Sequence, residues 1–144
     1  MLRLVLCALV LTACMAPKEE DIPRIEGSIT VLDDQEWDLV LGLESDPFEV
    51  DTVWFANDSL YITVKYSGGC EEHEFWAFSS CAWKESGTPQ ASLIIIHDNH
   101  NDLCEAYLTE VLKLDASTLS TCSSGSIYVI MHIGDTGKSA AIQL

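Results

Sequence analysis

The sequence predicts an all-β domain, an antiparallel β-sandwich of about eight short strands. Two features favour this class. Short apolar runs recur at intervals of roughly 8–20 residues and are separated by turn-forming residues. Residues 59–66 alternate between apolar and more polar side chains, which is typical of a strand with one buried and one solvated face. The alternative is an α+β fold with one helix near residues 103–112.

The first 13 residues predict an export signal. Arg3 is followed by an unbroken apolar run over residues 4–11. This run is far shorter than the ~20 apolar residues that a membrane-spanning helix needs. Residues 1–13 are therefore assigned to a signal peptide that is removed from the mature chain.

The end of this leader, Leu11-Thr12-Ala13-Cys14, resembles the lipobox of bacterial lipoproteins. The resemblance implies that the chain is cleaved before Cys14 and that acyl groups on Cys14 anchor it in a lipid bilayer. Met15 follows Cys14 where the family's sorting rule would place an aspartate for retention. The resemblance therefore implies the outer membrane of a Gram-negative cell, with the domain facing the periplasm or the exterior.

The remaining chain divides into a tether and one domain. Residues 15–23 contain two prolines and four charged side chains, so residues 14–24 are expected to be a lipidated N-terminus and a flexible tether. Residues 25–144 are expected to form a single β-rich domain, because a chain of 144 residues is too short for two ordinary cores. The net charge of −16 excludes a nucleic-acid partner, which requires a basic surface.

The strands of the domain follow from apolar runs and the turns between them. Asn57 and Asp58 separate two runs and predict a hairpin turn, and residues 83–90 predict an exposed loop. Residues 103–114 fit both the helical and the strand period, and we expect a helical turn near Cys104 that continues into a strand. The predicted strands are residues 27–32, 37–43, 51–56, 59–66, 72–79, 91–97, 109–115 and 126–133.

Four cysteines remain once the leader is removed, and an exported chain most economically pairs them in two disulfides. Three connectivities are possible, and the spacing does not choose between them. We favour Cys70–Cys104 and Cys81–Cys122, because each pair would tie the central segment of the chain to a later strand. Closing loops of about 30–40 residues should contribute on the order of 3–4 kcal/mol each.

A metal centre is the alternative use of the same segment. Cys70-x2-His73 and His97-x2-His100, followed by Cys104, offer sulfur and imidazole donors that suit zinc or copper. A histidine at a strand end is also commonly a polar residue that a backbone carbonyl satisfies. In a hybrid site the cysteines would pair, and copper or zinc would bind His73, His97, His100 and an acid such as Asp98 or Glu72.

The segment Ser67-Gly68-Gly69-Cys70-x2-His73-x-Phe75, together with His97 and Cys104, resembles a pattern in small exported lipoproteins without an assigned activity. The resemblance implies that these positions belong together in the fold. It implies no reaction.

These observations predict a membrane-anchored, disulfide-stapled module that binds an envelope protein or ligand and is not an enzyme. Residues 134–139 suggest a phosphate-binding loop but lack its leading glycine, and no serine lies in a nucleophile elbow. No resident cofactor is expected unless the histidines bind copper or zinc. The other alternative is a small inhibitor of envelope hydrolases that binds through exposed loops such as residues 83–90.

Overall fold

The computed structural model describes residues 23–82, 90–122, 128–133 and 141–143. The leader, Cys14 and most of the loop predicted at residues 83–90 lie outside the described residues. The elements are β1 (Arg24–Leu32), α1 (Asp34–Val40), β2 (Glu49–Ala56), β3 (Ser59–Gly68), β4 (Glu74–Ala82), β5 (Gln90–Asp98), β6 (Ala106–Asp115), a short 3-10 helix (Ser117–Thr121), β7 (Tyr128–Ile133) and β8 (Ala141–Gln143).

The strands form one mixed sheet in the order β2-β3-β6-β1-β4-β5-β7-β8. The protein is therefore mostly β, as predicted, but its strands form one mixed sheet in place of the predicted antiparallel sandwich. β1 runs parallel to both β4 and β6, and β5 runs parallel to β7. Alternation along a strand reports which face is buried, whereas it carries no information about the direction of the neighbouring strand.

β1 is the strand that joins the two halves of the sheet. Its first residues, from Arg24 to Ser28, pair with β6, and its last residues, from Ile29 to Leu32, pair with β4. Because the sheet is curled, side chains from both halves meet in one core cluster. The fully buried members of that core include Ile29, Leu60, Ile62, Leu93, Ile95 and Leu112.

A helix replaces the strand that was predicted at residues 37–43. Asp33 caps α1, since its carboxylate accepts hydrogen bonds from the amides of Gln35 and Glu36, both at 2.9 Å. Glu36 in turn accepts from the Asp33 amide at 3.1 Å, which completes a capping box. The acidic residues after β1 are thus a helix start signal. None of the helices among the described residues is long and apolar enough to cross a bilayer.

The segment that was ambiguous in the sequence is a strand. β6 pairs with β3 along its whole length, from Ala106 opposite Gly68 to Asp115 opposite Ser59. The alternative of a helix near residues 103–112 is therefore wrong, and the expected turn near Cys104 contains no helix. In this strand, the backbone N–H and C=O groups form hydrogen bonds with β3. In a helix they would have bonded one another within the segment.

The hairpin between β2 and β3 is confirmed as a two-residue turn. Ala56 pairs with Ser59, and the residues between them, Asn57 and Asp58, have φ angles of 50° and 57°. Two positive φ angles in a two-residue loop define the type I′ turn, whose twist matches that of the flanking strands. Asparagine and aspartate tolerate this conformation better than other residues with a Cβ atom.

Replacing Asp58 tests this turn. Asp58→Val should lower the free energy of unfolding by about 1–2 kcal/mol, because a β-branched side chain is strained at positive φ. Asp58→Gly is the matched control and should leave stability unchanged or slightly higher. Urea unfolding of the two variants measures the difference. Equal stabilities of the two variants would contradict the assigned turn.

Candidate functional site

The chemistry-bearing residues converge at one end of the sheet, where β3 and β5 end and β4 begins. One disulfide ties this region to a later part of the chain, and a second lies toward the opposite end of β4. Cys70 is bonded to Cys104, with Cα atoms 5.9 Å apart, and Cys81 is bonded to Cys122, with Cα atoms 5.2 Å apart. These are the two pairs that the sequence analysis favoured. The first joins the turn after β3 to the loop before β6.

The Asp102 carboxylate is the centre of the site. Its Oδ2 accepts hydrogen bonds from the amides of Gly69, Cys70 and Glu71 at 2.8, 2.9 and 3.0 Å, and its Oδ1 accepts from the Cys104 amide at 2.8 Å. The side chain is fully removed from solvent. Consecutive amides that point at one oxygen form an anion-binding nest, here occupied by the chain's own carboxylate.

These amides determine the ionisation of Asp102. The hydrogen bond from the Cys104 amide, followed by those from Glu71 and Cys70, lowers the pKa of this carboxyl far below its usual value, although burial opposes the shift. A further hydrogen bond from His73 acts in the same direction. Asp102 is therefore a carboxylate at neutral pH.

The glycines before Cys70 allow the chain to approach this carboxylate. Gly69 has a φ of 114°, a conformation that residues with a Cβ atom rarely adopt. A Cβ atom on Gly68 would overlap the His73 imidazole and would lie 3.0 Å from Asp102 Oδ2. The Ser67-Gly68-Gly69-Cys70 pattern thus reflects the close packing of backbone against the buried polar groups.

A pair of buried histidines extends from Asp102 into the core. His73 Nε2 lies 3.2 Å from Asp102 Oδ2, and His73 Nδ1 lies 2.9 Å from His97 Nε2. His97 Nδ1 lies 3.3 Å from the backbone carbonyl oxygen of Asp46. The His97 ring stacks on Phe75 at 4.3 Å between centroids, so the pair is enclosed by aromatic side chains.

The geometry of this pair determines how many hydrogen bonds each of its protonation states can form. The three contacts of the chain from Asp102 to Asp46 can all be hydrogen bonds only if the two rings share three protons, that is, one positive charge. Burial lowers the pKa of His97, although the contact with Asp46 opposes this shift. When both rings are neutral they carry two protons, which suffice for the two links from Asp102 to His97. The longest contact, from His97 to Asp46, then lacks a hydrogen.

His100 does not join the other two histidines. It is exposed, and its Nδ1 donates to the Glu72 carbonyl oxygen at 2.6 Å. This hydrogen bond is the main cause that raises the pKa of His100. Among the described residues, the one group of three potential metal ligands within reach of each other consists of Cys70, Asp102 and Cys104, and its two sulfurs are bonded to each other.

Sequence reasoning missed the central residue of this site. Asp102 is one of 23 acidic residues, and nothing in its local sequence distinguishes it from a surface acid. His73 and His97 were identified and lie together, but as partners in a hydrogen-bonded chain. A carboxylate that hydrogen-bonds a histidine can support proton transfer when a substrate reaches it. Here the polar atoms of Asp102, His73 and His97 bond one another and the backbone, which makes this group a brace.

The fold is shared with several solved structures. A NigD-like immunity protein from Bacteroides caccae is 16% identical, with a TM-score of 0.52 over 84% of this chain and 58% of that chain. A toxin-related protein from Parabacteroides distasonis is 16% identical, with a TM-score of 0.56 over 85% of this chain and 60% of that one. A DUF1344 protein of unknown function from Bacteroides vulgatus is 11% identical, with a TM-score of 0.51 over 85% and 56%.

These similarities identify a common fold at low sequence identity. The chain spans less than two thirds of the length of each of these structures. No protein-family model and no curated protein sequence matches the chain.

Replacing the Asp102 carboxylate should change the acid sensitivity of the fold. The pKa of Asp102 is lowered in the folded state and is about 4 in the unfolded state. The stabilisation is therefore complete above about pH 4 and is lost as the pH falls below that value. Asp102→Asn should lower the melting temperature at pH 7 and flatten its decline between pH 5 and pH 2.

Glu105→Gln is the matched control, because Glu105 is an exposed acid close to Asp102 in the sequence. This variant should keep the wild-type decline. Thermal unfolding of the three proteins across this pH range measures the effect. If the melting temperatures of Asp102→Asn and the wild type fall in parallel as the pH is lowered, another group controls the loss of stability in acid.

Proposed function

We propose that this chain is an envelope lipoprotein, anchored through acylated Cys14, whose domain is a non-enzymatic protein-interaction module. The observation that carries the proposal is that this brace, together with the Cys70–Cys104 disulfide, fixes one exposed loop. A disulfide, a buried carboxylate and two buried histidines hold the loop of residues 99–105, which is largely exposed. A loop held in one conformation loses little conformational entropy when it binds a partner.

Three further observations support the proposal. The leader resembles a lipobox. Two disulfides are typical of exported chains, because thiols stay reduced in the cytosol. One protein of similar fold is described as immunity-like, and another as toxin-related. The last observation is compatible with a small binding or interaction module.

The other hypotheses receive less support. Copper or zinc bound by His73, His97 and His100 would require His73 and His97 to give up the hydrogen bonds that join them to Asp102, and His100 bonds the Glu72 carbonyl instead. Inhibition of an envelope hydrolase through residues 83–90 rests on a loop of which only Gln90 is described. An outer-membrane location facing the periplasm or exterior remains part of the proposal through Cys14.

Removing one disulfide at a time tests whether the braced loop binds the partner. The full chain is crosslinked in the cells that express it, captured through a tag, and compared with two double variants. Cys70→Ser/Cys104→Ser opens the brace, whereas Cys81→Ser/Cys122→Ser is the matched control. The closed loops span 34 and 41 residues, so each variant should lose about 4 kcal/mol of stability.

The expected result is a crosslinked protein that the wild type and the control variant capture and the first variant does not. Circular dichroism of each purified chain verifies that it is folded at the temperature of capture. If the folded wild type captures no protein, the proposed function fails. Equal capture by all three folded chains would show that binding does not depend on the braced loop.

A further inference from the structure

Leu103 is the most exposed large apolar side chain among the described residues. It lies between Asp102 and Cys104 in the loop of residues 99–105, which we call the braced loop, and it is 92% exposed. Other exposed leucines of the described chain, such as Leu39 at 74% and Leu41 at 51%, lie in or next to α1, which has no comparable brace. Leu103 thus combines near-complete exposure with a position between two anchored residues of the loop.

The residues on both sides of Leu103 are held by contacts with other parts of the chain. Asp102 is held by the amides of the turn after β3 and by His73. Cys104 is held by its disulfide to Cys70 and by its amide, which donates to Asp102. Single exposed leucines are ordinary on protein surfaces. An apolar side chain that is presented from a fixed backbone has the properties of an interface anchor.

The charge around Leu103 identifies the kind of surface it fits. Glu105 is exposed one residue beyond Cys104, and Glu71 and Glu72 are exposed next to Cys70, which the disulfide joins to Cys104. Acidic side chains at the rim of an interface favour a partner with basic side chains at the matching positions. They disfavour insertion of Leu103 into an anionic membrane surface.

A second copy of this chain is a poor match for the acidic side chains around Leu103. The chain carries a net charge of −16. The basic side chains of its described part are Arg24, Lys65 and Lys113, and two of them are paired with acids. Lys65 bonds Asp51 at 3.0 Å and Lys113 bonds Glu26 at 2.8 Å. A different protein with a basic surface is therefore a better match for these acidic side chains than the described part of a second copy.

We propose that Leu103 is the apolar anchor by which this protein binds a partner protein, inserting into a hydrophobic pocket bordered by lysine or arginine. This inference rests on the proposed interaction function and assigns that function to one side chain. Removing a central apolar side chain that fills a pocket commonly weakens binding tenfold or more. Leu103→Asp should therefore weaken binding at least tenfold without changing the fold, because the side chain makes almost no contacts within the chain.

Site-specific photocrosslinking of the full, membrane-anchored chain tests the proposal. Benzoylphenylalanine replaces Leu103 in one variant and Leu39 in the matched control, which is also an exposed leucine. Irradiation in the expressing cells should join position 103, but not position 39, to one protein species. Purified wild-type chain should suppress this adduct in detergent extracts, whereas purified Leu103→Asp chain should not. The yield should fall as salt is raised, because rim charges are screened.

Mass spectrometry of the adduct should place the crosslink in an apolar pocket with lysine or arginine at its edge. The proposal is overturned if position 103 joins mainly lipid or a second copy of this chain. It is also overturned if positions 103 and 39 join the same proteins equally. If Leu103→Asp keeps full capture of a partner that the wild type binds, the anchor is wrong while the interaction function stands. If the wild-type chain captures no protein at all, both are wrong.

Discussion

The hydrogen bonds that converge on the Asp102 carboxylate are the constraint on which this end of the molecule depends. A buried carboxylate without partners would be strongly destabilising, and only several charge-assisted hydrogen bonds make its burial tolerable. Asp102 receives them from the turn after β3, from His73 and from its own loop. One side chain therefore orders two loops that are far apart in the sequence.

The disulfide and the carboxylate act on the same pair of loops in different ways. The bond between Cys70 and Cys104 restricts the unfolded chain, whereas the amides around Asp102 stabilise one conformation of the folded loops. The histidine pair links this conformation to the aromatic core through Phe75. Exposed residues between these fixed points, above all Leu103, therefore occupy a defined position. This combination of fixed backbone and exposed side chain is the physical basis for assigning an interaction function.

Several parts of this arrangement could be predicted from the sequence because they rest on local patterns. Alternation over residues 59–66 located a strand, and Asn57 and Asp58 located its turn. The export signal and the even cysteine count predicted two disulfides, and the pairing that ties the central segment to later parts of the chain is the one in the structure. The parallel insertion of β1 between β4 and β6 could not be predicted, since it depends on contacts between distant segments. α1 was mistaken for a strand because its apolar residues were weighted above the capping signal at Asp33.

The site itself was only half predictable for the same reason. His73 and His97 stand out as rare residues near cysteines, but the acid that joins them does not stand out among many acids. Its role arises from the fold, which brings residues 69–71 to within hydrogen-bonding distance of residue 102. A sequence with several histidines and cysteines in one segment therefore offers a metal centre as an alternative to disulfides, whereas the hydrogen bonds between Asp102 and the histidine pair follow only from the fold.

Amide hydrogen exchange tests this account most directly. The amides of Gly69, Cys70 and Glu71 belong to exposed loop residues, and each donates to Asp102. If the carboxylate organises the loops, these amides should exchange far more slowly than that of another exposed residue such as Glu44, and Asp102→Asn should remove their protection. Rapid exchange at these three amides in the wild-type chain would contradict the central role of Asp102.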